Sequence, residues 1–252
     1  MATKHYLSIE FGSGTAYEYS KEPQEGFEQH TGSTGNITYR KYYKKGIYGF
    51  LQKAEVIKGK FGEQLELTLQ KGEETYFLKI PVFTQNGDVD EYCTSVIQVL
   101  PALKKDGAYR IFPYSITPSD GGKYTSRGVS IKTAKVIEEE ALDKIEKVYN
   151  FLKKGATPTP TDIPALVWKE KMGKTSVTAT SKEARTDFLF EKLILGCQSL
   201  GGNTDGTIRV IEQKSTPEPQ KPAAKKPSAP AKAQAPVNNI SSTEADDSDL
   251  PF

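Results

Sequence analysis

Hydrophobic and polar positions alternate in five short runs between Ile47 and Thr133, and turn residues separate the runs. The alternation is strict at 65–69, Leu-Glu-Leu-Thr-Leu, which predicts a half-buried strand with three leucines on one face. The connectors at 58–62 and 71–73 are short and contain glycine, so we expect neighbouring strands to pair antiparallel. The predicted strands are 47–57, 63–70, 74–82, 108–117 and 124–133.

A helical pattern interrupts these strands once. Within residues 90–100, Tyr92, Val96, Val99 and Leu100 recur at helical spacing, which predicts a helix between the third and fourth strands. Three strands, a helix and two strands is the order of an OB-fold, a five-stranded Greek-key barrel that binds oligonucleotides. The predicted fold class is mainly β: a five-stranded OB-fold barrel with an N-terminal extension, added helices after the barrel and a disordered C-terminal tail.

Two further helices are predicted after the barrel, at 138–154 and 181–200. The first has apolar residues on one face, glutamates in its first turn and lysines in its last. The second begins with the capping-box pattern Thr180-x-x-Glu183 and is apolar nearly all round, so we expect it to be buried. Residues 1–46 contain one alternating run, Leu7, Ile9 and Phe11, followed by a loop-like sequence.

The composition of the chain changes after residue 212. Residues 213–252 hold seven of the fifteen prolines and few large aliphatic side chains, so they cannot form a core. Alternating Pro, Ala and Lys at 217–236 favour an extended, semi-rigid tether. We therefore predict an OB-fold nucleic-acid-binding core with its extension at 1–135, a helical addition packed on the core or a partner subunit at 136–212, and a disordered linker with an acidic tip at 213–252.

Few residue types suited to catalysis are present. The 252-residue chain has two histidines and two cysteines, Cys93 and Cys197, which lie too far apart in sequence to suggest a metal-ligand pair. Zinc chemistry and histidine acid–base chemistry therefore have few candidates, and we predict no enzyme activity, metal or cofactor. No run approaches the roughly 18 apolar residues of a membrane helix. Residues 1–10 lack the features of a secretion signal, so we expect a cytoplasmic protein.

The net charge of +2 hides two basic segments. Residues 39–60 carry seven Lys and Arg against one acid, and residues 104–135 carry seven against two. Aromatic residues are interleaved with these cations, and a groove for single strands needs both, because each ring–base stack is worth about 1–3 kcal/mol. The predicted nucleic-acid-binding residues are Arg40, Lys41, Tyr42, Tyr43, Lys44, Lys45, Tyr48, Phe50, Lys53, Tyr109, Arg110, Phe112, Tyr114, Tyr124 and Arg127.

The same residues allow another interpretation. The tyrosines could belong to the barrel core, and the lysines could form a solvated edge that discourages pairing between sheets. Lys53, Lys58 and Lys60 could simply keep a hairpin soluble. Both interpretations agree with the sequence.

The chain ends Asp-Asp-Ser-Asp-Leu-Pro-Phe at 246–252. This closely resembles the acidic tip of bacterial single-stranded DNA-binding proteins, in which acids precede Ile-Pro-Phe, and some phage counterparts also finish in acids and Phe. The resemblance implies that the terminal phenyl ring enters an apolar pocket on a replication or repair enzyme while the carboxylates face a basic rim. The partner-binding residues it implies are Asp246, Asp247, Asp249, Leu250, Pro251 and Phe252.

The rest of the chain departs from the bacterial family. Its linker is rich in Pro, Ala and Lys instead of Gly and Gln, the predicted barrel begins near Ile47, and residues 138–212 have no counterpart. Oligomeric state is therefore not carried over, and a homo-oligomer stays open. We prefer a phage type, which would place the protein in the host cell cytoplasm.

The predicted function is that of a non-enzymatic single-stranded DNA-binding protein. It would coat exposed strands with low sequence preference and recruit replication, recombination or repair enzymes through its tip. The alternative is a protein-interaction adaptor of the replisome, whose body binds another protein instead of DNA.

Overall fold

The computed structural model describes residues 2–32, 34–60, 62–118, 124–135, 140–153, 156–171 and 174–202. The strands are β1 Thr3–Ile9, β2 Ala16–Ser20, β3 Glu28–Thr31, β4 Ile37–Tyr42, β5 Ile47–Gly59, β6 Gly62–Lys71, β7 Glu74–Pro81, β8 Ala108–Ile116, β9 Ser126–Ala134, β10 Ala141–Lys144, β11 Asn150–Phe151, β12 Asp162–Ile163, β13 Trp168–Lys171 and β14 Lys174–Val177. The helices are α1 Glu91–Ile97 and α2 Ala179–Ser199, with a 3-10 turn at Leu100–Ala102.

Ten of the strands form one sheet in the order β10-β9-β8-β5-β6-β7-β1-β2-β4-β3. The mainly β prediction is confirmed, and each of the five predicted strands matches one of β5 to β9 to within two residues. The predicted helix between the third and fourth strands is α1, and the Asp90 carboxylate caps it by accepting the Tyr92 N–H at 2.8 Å. The short connectors do produce antiparallel pairs, β5 with β6 and β6 with β7.

The sheet is not closed into the predicted barrel, because the strands that would meet have other neighbours. The second edge of β7 pairs with β1, in a parallel register that runs from Thr3 opposite Glu74 to Leu7 opposite Leu78. The outer edge of β9 carries β10 at one end. At its other end α1 lies against it, where the Val129 N–H donates to Ser95 Oγ at 2.6 Å.

One hydrophobic core lies between the inner face of the sheet and the helices. Leu65, Leu67 and Leu69 are fully buried on that face, as the alternation predicts. Glu66 and Thr68 on the opposite face are also buried, so the prediction of a half-buried strand is wrong. Burial raises the pKa of the Glu66 carboxyl, although Lys79 lies 3.9 Å from it.

The N-terminal region contains more structure than its sequence predicts. The alternating run is β1, with Leu7 and Ile9 in the core and Phe11 half exposed beyond it. The loop prediction for the following residues is wrong, because they form β2, β3 and β4. Glu18 of β2 and Lys41 of β4 are polar, although they lie on the same face of the sheet as the core residue Leu7. The sequence of these strands therefore lacks the alternation of apolar and polar residues that would predict a strand.

The predicted helix at 138–154 is wrong for the residues that the structure describes, since 140–153 contain the short strands β10 and β11 joined by non-helical segments. The edge of β9 offers backbone partners that override local helix propensity. The Ile145 N–H donates to the Ile131 carbonyl at 3.1 Å, and the Val148 N–H donates to the Gln98 carbonyl at 2.7 Å. The predicted ends of this helix, at 138 and 154, lie outside the described residues.

The second predicted helix is confirmed as α2, which packs against β5 and α1. Its N-cap is Thr178 and not Thr180, so the capping-box prediction is wrong. Leu189, Leu193 and Cys197 are buried, but Leu195 is 49% exposed, so only one face of the helix joins the core. The chain divides into a compact unit at 1–209 and a second unit at 210–252, and the predictions for the linker and tip fall outside the described residues.

Candidate nucleic-acid interface

Four neighbouring strands place one ring and three cations in a row. Tyr48 pairs with Arg110, Arg110 with Lys132, and Lys132 with Lys144. Directly paired residues project from the same face of a sheet, so the four side chains share one surface. The Arg110 guanidinium lies 5.9 Å from the centroid of the Tyr48 ring, which is 7% exposed and forms the floor beneath that cation.

More rings lie beside this row. Phe112 and Tyr114 follow Arg110 at two-residue steps along β8 and therefore share its face. The Lys132 Nζ lies 5.8 Å from the Phe112 ring centroid, and the ring of Phe50 lies 6.2 Å from that of Tyr48. We call this surface the basic–aromatic face. It consists of Tyr48, Phe50, Arg110, Phe112, Tyr114, Lys132 and Lys144.

The turn between β4 and β5 holds the rim of this face in place. The Arg110 Nη1 donates to the Lys45 carbonyl at 2.9 Å. Gly46 has a φ of +76°, and a Cβ there would lie 2.7 Å from Phe112 Cδ1 and 2.8 Å from the Ile111 carbonyl oxygen. Only glycine fits between the turn and β8 at this position. The side chains of Lys44 and Lys45, which precede it in the turn, are exposed at the rim of the face.

A cavity of about 540 Å³ lies at the far end of β8, between α1, α2 and the segment at 147–177. We call it the cleft. Its aromatic walls are Tyr114, Phe151 and Trp168, its basic residues are Arg127, Lys147, Lys182 and Arg185, and its acids are Asp88 and Glu91. The basic–aromatic face and the cleft are therefore continuous through Tyr114.

The cations of the cleft have different surroundings. The Lys182 Nζ lies 3.0 Å from an oxygen of Asp88, and the Arg185 Nε donates to the Pro164 carbonyl at 2.8 Å. The Arg185 guanidinium also lies 5.2 Å from the Phe151 ring centroid. Desolvation, with a smaller contribution from the charge of Lys144, lowers the pKa of Lys147. An anion beside Lys147 would favour its charged form and so offset both effects.

The predicted residues on β4 lie in a different environment. The Arg40 Nη1 donates to Glu10 at 2.8 Å, and the Tyr42 hydroxyl donates to the same carboxylate at 3.0 Å. A hydrogen bond from Ser13, then those contacts, hold the pKa of Glu10 below its ordinary value, against the opposing effect of burial. We call Arg40, Lys41, Tyr42 and Tyr43 the β4 cluster.

Tyr43 completes this network. Its hydroxyl donates to Glu18 at 3.2 Å, and its ring meets Tyr76 edge to face at 5.9 Å. Burial, then the charge of Glu18, raises the pKa of the Tyr43 hydroxyl. Glu18 also accepts from His5 Nδ1 at 3.0 Å. The polar groups of Arg40, Tyr42 and Tyr43 therefore contact the N-terminal region, whereas the Lys41 Nζ lies 5.7 Å from the Tyr43 ring centroid.

The remaining predicted residues divide in the same way. Tyr109 is 5% exposed and belongs to the core, and its hydroxyl oxygen accepts the Lys104 N–H at 2.9 Å. The core interpretation is correct for this ring. Lys53 pairs with Glu55 at 2.5 Å on the strand that carries both. Tyr124 is 85% exposed, and Arg127 is exposed at the mouth of the cleft.

Sequence reasoning missed several residues that the structure brings together. Lys132 lies in a basic segment, but it was not predicted as a binding residue because no aromatic residue is next to it in the sequence. Its two-residue periodicity within β9 was the available signal. The others come from segments predicted as helix or left unassigned, and they are Lys144, Lys147, Phe151, Trp168, Lys182 and Arg185.

Neither cysteine is suited to nucleophilic chemistry. Burial raises the pKa of Cys197 to about 12 and also raises that of Cys93, so neither is a thiolate at neutral pH. Across the ranges described above, no group of three or more His, Cys, Asp or Glu could hold a metal ion. No helix in those ranges is long and apolar enough to cross a membrane.

Comparison with known proteins gives no match: no family model fits the chain, and neither a curated protein nor a solved structure is significantly similar to it. Function is therefore inferred from the geometry of the basic–aromatic face and the cleft.

Proposed function

We propose that the protein binds single-stranded DNA along the basic–aromatic face, with low sequence preference and without catalysing a reaction. The observation that carries this proposal is the row of Tyr48, Arg110, Lys132 and Lys144 with Phe112 beside it. Strands lie about 4.8 Å apart, so the three cations are spread over about 10 Å of surface. A polynucleotide crossing the strands would meet successive phosphate contacts next to aromatic rings.

The rings account for a preference for single strands over duplex. Cations alone attract any polynucleotide, because its phosphates are always accessible. A ring adds affinity only where a base face is exposed, as it is in an unpaired strand. Phe50, Phe112 and Tyr114 are partly exposed on the same surface as the cations and can provide that contact.

The charges on this surface are suited to phosphate. Lys132 contacts an aromatic ring, and neither it nor Lys144 forms an ion pair with an acid in the described part of the chain. A phosphate that approaches these side chains therefore displaces no bound carboxylate. Charge-assisted hydrogen bonds of this kind are roughly twice as strong as neutral ones.

We also propose that β5 to β9 with α1 are an OB-fold variant opened between its third and fifth strands. The order β9-β8-β5-β6-β7, with the helix between β7 and β8, supports this relationship. The inserted pairing of β1 with β7 accounts for the missing closure.

For the C-terminal residues we propose recruitment of replication, recombination or repair proteins. This part of the proposal is supported by the sequence alone, through the resemblance of 246–252 to the tip of single-stranded DNA-binding proteins. Burial of one Phe contributes about 1.5–3 kcal/mol, whereas micromolar affinity needs about 8 kcal/mol. Such a tip would bind weakly and gain from several tails on one DNA strand.

The direct test is fluorescence anisotropy with labelled single-stranded dT, duplex DNA and RNA of equal length, over a series of salt concentrations. We expect the tightest binding to single strands, with a log–log salt slope of about −0.7 for each phosphate contacted. Removal of 246–252 should preserve or raise DNA affinity while abolishing capture of partner proteins. Equal affinity for duplex, salt-insensitive binding, or loss of DNA binding on truncation would contradict the proposal.

A further inference from the structure

The cleft has properties that DNA binding along the sheet does not require. Its volume of about 540 Å³ lies within the range of roughly 300–1,000 Å³ that is usual for small-molecule sites. It is built by α1, α2, β9 and the segment at 147–177, so most of its wall lies away from the basic–aromatic face.

Two large rings at the cleft are open to solvent. Trp168 is 61% exposed and Phe151 is 48% exposed. Phe151 is already covered on one side by the guanidinium of Arg185. Trp168 has no ring partner among the described residues, so its face is open for stacking. An exposed indole that lines a cavity is well suited to a flat aromatic ligand.

The basic residues of the cleft are not equivalent. Asp88 partly offsets the charge of Lys182, and Arg185 is engaged by Phe151 and the Pro164 carbonyl. Arg127 and Lys147 line the same cavity, and neither forms an ion pair within the described ranges. These two residues are therefore the cations of the cleft that remain available to an anion.

We infer that the cleft binds one nucleotide unit, with its base stacked on Trp168 and its phosphate held by Arg127 and Lys147. A nucleoside monophosphate combines the two chemistries that the cleft offers, a flat ring and an anion. The unit could be a free nucleotide or one nucleotide of a strand that enters from the face past Tyr114. This inference goes beyond the proposed function, because a free nucleotide could bind here even if the face bound no DNA.

Trp168 is the sole tryptophan of the chain, so all tryptophan emission reports on the cleft. The experiment titrates the full-length protein with dTMP, thymidine, inorganic phosphate and a dT oligonucleotide while following this emission. We expect saturable quenching by dTMP, by the oligonucleotide or by both, and much weaker responses to thymidine and phosphate. Quenching by dTMP identifies a free-nucleotide site, and quenching by the oligonucleotide alone identifies a strand subsite.

Two variants separate specific binding from collisional quenching. Lys147→Gln should raise the Kd of the quenching ligand about tenfold or more, because it removes one charged hydrogen bond. Lys58→Gln, the same change at an exposed position outside the cleft, should leave it unchanged. In equilibrium dialysis, Trp168→Ala should lose binding of the same ligand while retaining the wild-type circular dichroism spectrum.

The inference is overturned if neither dTMP nor the oligonucleotide quenches saturably, or if Lys147→Gln and Lys58→Gln behave alike. Its failure can be distinguished from failure of the proposed function. Lys132→Gln should weaken binding of the oligonucleotide measured by anisotropy and leave the cleft intact. If the oligonucleotide binds in the anisotropy measurement but does not change Trp168 emission, the proposed function stands and the inference about the cleft is overturned.

Discussion

The β4 cluster and the basic–aromatic face are built from similar residues, but their charges have different neighbours. On β4, Arg40 and Tyr42 share the carboxylate of Glu10, and the Tyr43 hydroxyl is held by Glu18. On β8 and β9, Arg110 and Lys132 lie against aromatic rings. In the first arrangement Arg40 is engaged by an acid as well as by the Tyr17 ring, and Lys41 lies over the Tyr43 ring, whereas the second leaves cations and rings together without an acid at a surface.

The origin of this difference is the strand order. The β1–β2 hairpin lies beside β4 and carries Glu10 and Glu18 to it, whereas three strands of the sheet lie between β1 and β8 and four lie between β1 and β9. The turn of the hairpin reaches β8 at Gly14, which lies against the backbone of Tyr114 and Ser115. A cation that pairs with an acid must lose that ion pair to bind phosphate, whereas a cation over a ring can bind phosphate with the side that faces away from the ring. We therefore expect DNA affinity to depend on the face and protein stability to depend on the β4 cluster.

The largest effect should come from removing three cations of the face and cleft mouth together. Arg127→Gln/Lys132→Gln/Lys144→Gln should weaken binding to single-stranded dT about 100-fold at low salt, since each contact is worth on the order of 1 kcal/mol. The salt slope should decrease in magnitude by about 2. The matched control, Lys4→Gln/Lys21→Gln/Lys58→Gln, removes the same charge elsewhere. Anisotropy titrations that give equal losses for both triples would show that only net charge matters.

The next largest effect concerns the ring beside Lys132. Phe112→Ala should weaken binding to single strands by about 1–3 kcal/mol and leave the weaker duplex binding nearly unchanged, because only unpaired bases stack on the ring. Phe112→Tyr should retain most of the affinity. Parallel titrations with single-stranded and duplex probes measure this difference. A loss of the same size for both probes would assign Phe112 a purely structural role.

A smaller effect is expected at the turn that supports the face. Gly46→Ala places a methyl group against Phe112 and requires a non-glycine residue at a φ of +76°. The left-handed conformation alone costs about 1–2 kcal/mol, so the free energy of unfolding should decrease by at least that amount in urea denaturation. Gly26→Ala has a similar φ of +77° and no atom within 4 Å, so it isolates the backbone cost. An equal loss in both variants would contradict the contact with Phe112.

The β4 cluster should influence DNA affinity least. Tyr42→Phe removes the hydrogen bond to Glu10 and should reduce the free energy of unfolding by about 0.5–1.5 kcal/mol. Its affinity for single-stranded dT should stay within about twofold of the wild type, a change of less than about 0.5 kcal/mol. Denaturation and anisotropy on the same sample check both statements. A tenfold loss of affinity in this folded variant would place the β4 cluster in the interface.

The pH dependence gives the smallest and most selective difference. The lowered pKa of Glu10 means that its ionised form stabilises the native state above the ordinary carboxyl value of 4.5. This stabilisation is lost as the pH falls through the lower value of the folded state. Unfolding of Glu10→Gln should therefore lack this part of the acid sensitivity seen in the wild type below about pH 4.5. If the two proteins lose stability in parallel, the network around Glu10 does not stabilise the fold.

The sequence was most informative where hydrophobic alternation was strong. β5 to β9 carry large aliphatic residues at alternating positions, so their bounds, their antiparallel hairpins and α1 could be predicted. It was least informative where partners come from distant segments. β10 takes its backbone hydrogen bonds from β9, and no pattern within residues 138–154 indicates that edge. The prediction of a closed barrel is wrong for the same reason, because β1 pairs with the edge of β7 that would have closed the barrel.

The candidate site was predicted only in part. The mixture of basic and aromatic residues in the second basic segment identified four residues that lie on the basic–aromatic face or in the cleft: Arg110, Phe112, Tyr114 and Arg127. The β4 segment has a similar composition, but the acids that engage it are Glu10, just after β1, and Glu18 in β2, and this region was predicted as one strand followed by a loop. Trp168 and Lys147 reach the cleft through a segment whose pattern indicates no sheet or helix face. Composition selects candidate residues, and strand order decides which of them remain open to a ligand.

The most direct measurement is hydrogen exchange of backbone amides, followed by mass spectrometry, with and without single-stranded dT. The account predicts slower exchange on DNA binding in peptides that cover Ala108–Ile116 and Ser126–Ala134, and unchanged exchange in peptides that cover Ile37–Tyr42. Protection confined to Ile37–Tyr42, or no protection of β8 and β9 at saturating DNA, would contradict it.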